Sequence, residues 1–107
     1  MKDNNVFVTK LRNIETGTII YSIKWMQDGK KETCLITFVF GIDRVKKDII
    51  ALFSGIYRAN IHDELKIIFN QKEYIYIQSY LMVKSETVEI DNVDREIFRD
   101  AVKQLSE

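Results

Sequence analysis

The sequence predicts an α+β domain: a mostly antiparallel sheet of about six strands with two helices, in the order βββα–βββα. Three observations predict it. Apolar and polar residues alternate at period two through the first forty residues, and again over 65–90. Two later stretches switch to helical spacing, each opening on an Ile-Asp pair that follows the strands. The two junctions also echo one another. Ile42-Asp43-x-Val45-x-x-x-Ile49 recurs 48 residues later as Ile90-Asp91-x-Val93-x-x-x-Ile97, and at that shift Ile19-Ile20-Tyr21 falls on Ile67-Ile68-Phe69. The 107 residues then form one domain of two pseudo-symmetric half-repeats, 1–58 and 59–107, although two unrelated strand-to-helix junctions would give the same echo.

The first strand, Val6–Arg12, alternates weakly and ends in a polar turn over 13–17. From Thr18 to Gln27 the alternation is strong, with Ile19, Tyr21, Ile23 and Trp25 opposed to Thr18, Ser22 and Lys24. Asp28-Gly29 marks a two-residue hairpin, because a type I′ turn needs positive φ at both central positions. The returning strand carries Cys34, Ile36, Phe38 and Phe40 on one face and Thr33, Leu35, Thr37 and Val39 on the other. That pattern predicts a central strand covered on both sides. Gly41 ends the strand and Asp43 caps a helix whose apolar stripe is Val45, Ile49, Leu52, Phe53 and Ile56. Ser54-Gly55 weakens its last turn, so it ends near Tyr57.

In the second half, Leu65–Asn70 and Glu73–Val83 read as a hairpin, followed by a short strand Thr87–Ile90. Asp91 caps a final helix running to about Gln104. Its buried stripe is Val93, Ile97, Ala101 and Leu105, flanked by Phe98 and Val102, with Asp94 and Glu96 placed for the helix dipole.

Sixteen Lys+Arg balance sixteen Asp+Glu, so no overall field draws the chain to nucleic acid or an acidic membrane. The balance is uneven: residues 1–58 carry a net +4 and residues 59–107 a net −4. The single cysteine, Cys34, excludes an internal disulfide and any multi-cysteine metal site. The polar N-terminus shows no export signal and the apolar runs are short, so the expected location is cytoplasmic. The absence of proline, with abundant Ile, Lys and Asn, suggests an AT-rich coding sequence of bacterial or phage origin.

Chemistry-bearing patterns are sparse. His62, followed by Asp63 and Glu64, reads as a solvated loop with no second histidine to complete a ligand set. Cys34 sits on an apolar strand face, which favours a structural thiol. The four glycines are too scattered for a phosphate loop, and no paired carboxylates stand in an apolar setting. No catalytic residue, metal or cofactor is expected.

The strongest binding signal is the row Tyr74, Tyr76, Tyr80 and Met82 along one face of the 73–83 strand. Tyrosines give large rigid contact area with a polar tip, and a helix laid over this face would turn the row into ordinary core. For nucleic acid the candidates are Lys30, Lys31, Arg44, Lys46 and Lys47, with Lys10 and Arg12 on the first strand. An acidic run of Glu86, Glu89, Asp91, Asp94 and Glu96 suggests a basic partner, or helix capping alone. The leading expectation is a small non-catalytic protein-binding module of the inhibitor, immunity or adaptor type, compatible with homodimerisation. The alternatives are a nucleic-acid binder using the basic residues of the first half, and a small ligand-binding domain or enzyme.

Overall fold

A computed structural model describes residues 4–60, 64–69 and 84–105. It is an α+β fold. Strands β1 (Asn5–Asn13), β2 (Ile19–Gln27) and β3 (Lys30–Thr37) lead into helix α1 (Ile42–Ala59). Strands β4 (Lys66–Phe69) and β5 (Ser85–Val88) and helix α2 (Asn92–Leu105) follow. The described strands form one five-stranded mixed sheet in the order β3-β2-β1-β4, with β5 also against β1.

The β2–β3 hairpin follows its turn chemistry. Asp28 and Gly29 have φ of 52° and 77°, and Gln27 pairs directly with Lys30 across them. Strand β1, not β3, is the central one. It pairs antiparallel with β2 on one side, while its other side is shared between two short strands. Asn5–Val8 run parallel to β4, and Lys10–Asn13 run antiparallel to β5. Among the described strands β3 is instead an edge.

The parallel β1–β4 pair departs from the expected antiparallel sheet, and α1 is the reason. Both β1 and β3 run antiparallel to β2, so they share a direction. An 18-residue helix then reverses the chain, and β4 emerges along the original direction. The expected 73–83 strand lies outside the described residues.

Both helices bury their stripes on the same sheet face. Val6, Val8, Tyr21, Ile23 and Ile36 meet Val45, Ile49, Phe53 and Ile56 of α1 and Ile97, Phe98 and Ala101 of α2 in one cluster. The rings interlock edge to face, with Tyr21 4.9 Å from Phe98 and 5.0 Å from Phe38. Burial of Phe53 and Ile56 overrides the weak Ser54-Gly55 turn, so α1 continues to Ala59. There the Asn60 side chain donates to the Ile56 carbonyl at 2.8 Å.

Helix starts correct the sequence reading in three places. The N-cap of α1 is Gly41, at φ 89°, with Asp43 inside the first turn. The chain leaves the sheet at Thr37, so Val39 and Phe40 stand 64% and 77% exposed instead of continuing the strand faces. In α2 the buried stripe is Asp94, Ile97, Phe98 and Ala101, while Val93 is 61% exposed. The internal echo is therefore only partial. Ile49 and Ile97 are both buried, but Val45 is buried and its counterpart Val93 is not, because α1 starts at Ile42 and α2 at Asn92.

The second sheet face holds a smaller apolar cluster, Leu11 and Ile20 with Phe7 and Leu35. Ser22 is 1% exposed there, and its hydroxyl finds no hydrogen-bond partner among the described residues. A buried hydroxyl without a partner carries an uncompensated desolvation cost. Ser22→Ala should therefore raise unfolding stability by about 1 kcal/mol, read as a later urea midpoint at unchanged slope.

Candidate functional site

The most concentrated polar chemistry in the structure lies under α2. Asp94, 3% exposed, receives three donors: Tyr21 Oη at 2.5 Å, Lys10 Nζ at 2.8 Å and the Asp91 amide at 2.9 Å. Asp91 Oδ1 in turn accepts from the Asp94 amide at 2.9 Å, which makes a reciprocal capping box at the helix start. Lys10 Nζ also lies 3.7 Å from Asp91. The Asp94 amide, aided by its side chain and by Lys10, holds the Asp91 carboxyl below the usual carboxylate range. Burial, then the hydrogen bond to Asp94 and the two negative charges, drives the Tyr21 phenol far above its ordinary value.

Tyr21 is fully buried and Asp94 nearly so, which marks this network as a fixed structural centre. Helical spacing had put Val93 in the stripe and Asp94 on the dipole. The available signal was Lys10, a cation next along the β1 face after the buried Val6 and Val8. Asp94→Ala would leave a buried phenol unpaired and a largely buried ammonium with only the 3.7 Å contact to Asp91, and should cost about 3 kcal/mol in denaturant unfolding. The Tyr21 contribution is complete below about pH 10, the unfolded phenol value, and is lost as pH rises above it toward the folded value. Tyr21→Phe should flatten that part of the alkaline stability curve, measured by urea unfolding between pH 8 and 11.

The sequence-nominated residues are dispersed. Tyr74, Tyr76, Tyr80 and Met82, like His62, lie outside the described residues. Cys34 is half-buried on the helix-facing side of β3, and desolvation with the nearby Asp48 charge pushes its thiol up, away from nucleophilic character. Lys10 is bound to Asp94, and Arg12 pairs with Glu86, so neither is a free cation. Lys30 and Lys31 begin β3 at the hairpin end, whereas Arg44, Lys46 and Lys47 begin α1 at the opposite end of that strand. Arg44 is paired with Asp48 at 3.1 Å. Within the acidic run, Glu86, Asp91 and Asp94 are already occupied by these intramolecular contacts.

A different site takes shape on the β3 side of the fold. Val39, Phe40 and Ile42 form an exposed apolar corner where β3 turns into α1, and the Arg44 guanidinium lies 5.9 Å from the Phe40 ring. From this corner an open groove runs between the β3 edge and α1. Its upper hollow, about 360 Å³, is lined by Cys34, Ile36, Phe40, Arg44, Asp48 and Ala51. Its lower hollow, also about 360 Å³, shares Ala51 and continues past Gly55 and Ala59 to Trp25 and Gln27. The small side chains at 51, 55 and 59, one helical turn apart, leave the groove open.

Among the described residues no group of three or more His, Cys, Asp and Glu could hold a metal, and no helix is long and apolar enough to cross a membrane. No protein-family model matches the chain, and no curated protein or solved structure shows significant similarity to it.

Proposed function

We propose that this chain is a small non-catalytic protein-binding module of the inhibitor, immunity or adaptor type, from a bacterium or its phage. The observation that carries the reading is the β3–α1 corner, where Val39, Phe40 and Ile42 are 64%, 77% and 40% exposed within four residues of one another. Grouped apolar side chains held in water mark association surfaces more often than ordinary monomer surface. The adjoining groove supplies concave relief beside them. The row Tyr74, Tyr76, Tyr80 and Met82 joins the proposal as a second contact.

The nucleic-acid alternative draws less support from the charges. Its free lysines are divided between the two ends of β3, and Lys10, Arg12 and Arg44 are spent on internal carboxylates. Recovery of partners from a nuclease-treated lysate separates the two readings. The expected result is a stoichiometric protein that survives nuclease and whose affinity falls about tenfold or more with Phe40→Ser. The exposed position predicts an unchanged melting temperature for that variant. Full retention by Phe40→Ser removes the corner from the interface, and Tyr76→Ala then tests the tyrosine row. Recovery of nucleic acid alone, lost after nuclease, rejects the module.

A further inference from the structure

The β3 edge is guarded over only half its length. Lys30, Lys31, Glu32 and Thr33 are exposed, and three of these four are charged, the usual protection against unwanted strand pairing. Cys34, Leu35, Ile36 and Thr37 carry no charge, and no described strand pairs with their outer side. This unguarded half lies against the upper hollow, so a row of main-chain donors and acceptors stands beside an apolar cleft.

We infer that the groove takes an extended, uncharged peptide segment of a protein partner, added as a sixth strand along Cys34–Thr37. Its inward side chains fill the hollow between Phe40 and Ala51. This rests on the protein-binding reading and specifies the partner chemistry. Strand addition draws its affinity from main-chain hydrogen bonds and its selectivity from pockets that take alternate side chains, and this edge offers both. Charge decides against other occupants. Among the described residues, the only charged ones lining the two hollows are Arg44 and Asp48, which neutralise each other at 3.1 Å. A phosphate backbone would find no free cation there, and a charged peptide side chain no free counter-ion. A helix would leave the main-chain row at Cys34–Thr37 unpaired, whereas an extended chain satisfies it.

The test is an NMR titration of isotope-labelled protein with a capped nine-residue peptide alternating valine and serine. Saturable shifts of the Cys34–Thr37 amides and of Phe40, weakened at least about tenfold by Ala51→Lys, are expected. Ala51 is exposed and lysine is nearly as good a helix former, so the variant keeps the fold. The same peptide N-methylated at every residue cannot donate along either edge and should not bind. Equal binding of the N-methylated peptide overturns strand addition. So does a free protein that sediments as a dimer and dissociates on Ala51→Lys, since a second copy then fills the groove. If partner capture is lost in Phe40→Ser but intact in Ala51→Lys, and the peptide shifts nothing, strand addition fails while the module reading stands.

Discussion

One buried carboxylate organises the sheet-to-helix contact. Asp94 binds Lys10 on β1, Tyr21 on β2 and the Asp91 amide just ahead of its own helix, so three elements distant in sequence converge on one charge. An ionised carboxylate in an apolar interior is tolerable only with such complete pairing. The geometric demand on the surroundings is strict. A helix slid by one residue would lose both bonds to the sheet, and the helix stays where Ile97, Phe98 and Ala101 meet the sheet. Apolar packing alone would accept several sliding positions; the carboxylate accepts one. The Tyr21 ring then sets the spacing of Phe38 and Phe98 on either side of it.

The second constraint is the length of α1. Eighteen residues carry the chain from the end of β3 back across the sheet, so β4 lies parallel to β1 on the far side. One consequence is that, among the described strands, β3 keeps an open edge beside the helix. Another is that α1 turns a different side to each neighbour: Val45, Ile49, Phe53 and Ile56 to the core, and Ala51, Gly55 and Ala59 to the groove. The groove is thus a by-product of how the sheet is covered, and it has its own shape without disturbing the core.

Much of the local structure was legible in the residues. Period-two alternation located β1, β2 and β3, Asp28-Gly29 set the hairpin, and helical spacing found both helices to within a few residues. The pairing order was not legible. A strand pattern records which faces are buried and not which neighbour lies alongside, so β3 read as central when β1 is. The direction of β4 followed from a helix-long crossover that no residue in β4 signals. At the candidate site, Phe40 read as strand interior because its spacing continues that of Ile36 and Phe38. Only the chain's departure at Thr37 puts it in solvent, ahead of Gly41 at φ 89°. Asp94 was missed for a related reason: its partners Lys10 and Tyr21 are 84 and 73 residues away.

The placement of β1 bears on how the molecule is made. The central strand is made before every strand it pairs with, yet its side away from β2 is completed only by β4 at 66–69 and β5 at 85–88. While the ribosome is still adding those segments, β1 has β2 on one side and an open row of amides and carbonyls on the other. Loop closure over roughly sixty to eighty residues must precede its completion, which slows folding relative to a fold built from local pairs. The nascent chain therefore holds an unfinished edge until residues 85–88 are made, a period in which chaperone contact or mispairing between neighbouring chains on one messenger RNA has its best opportunity.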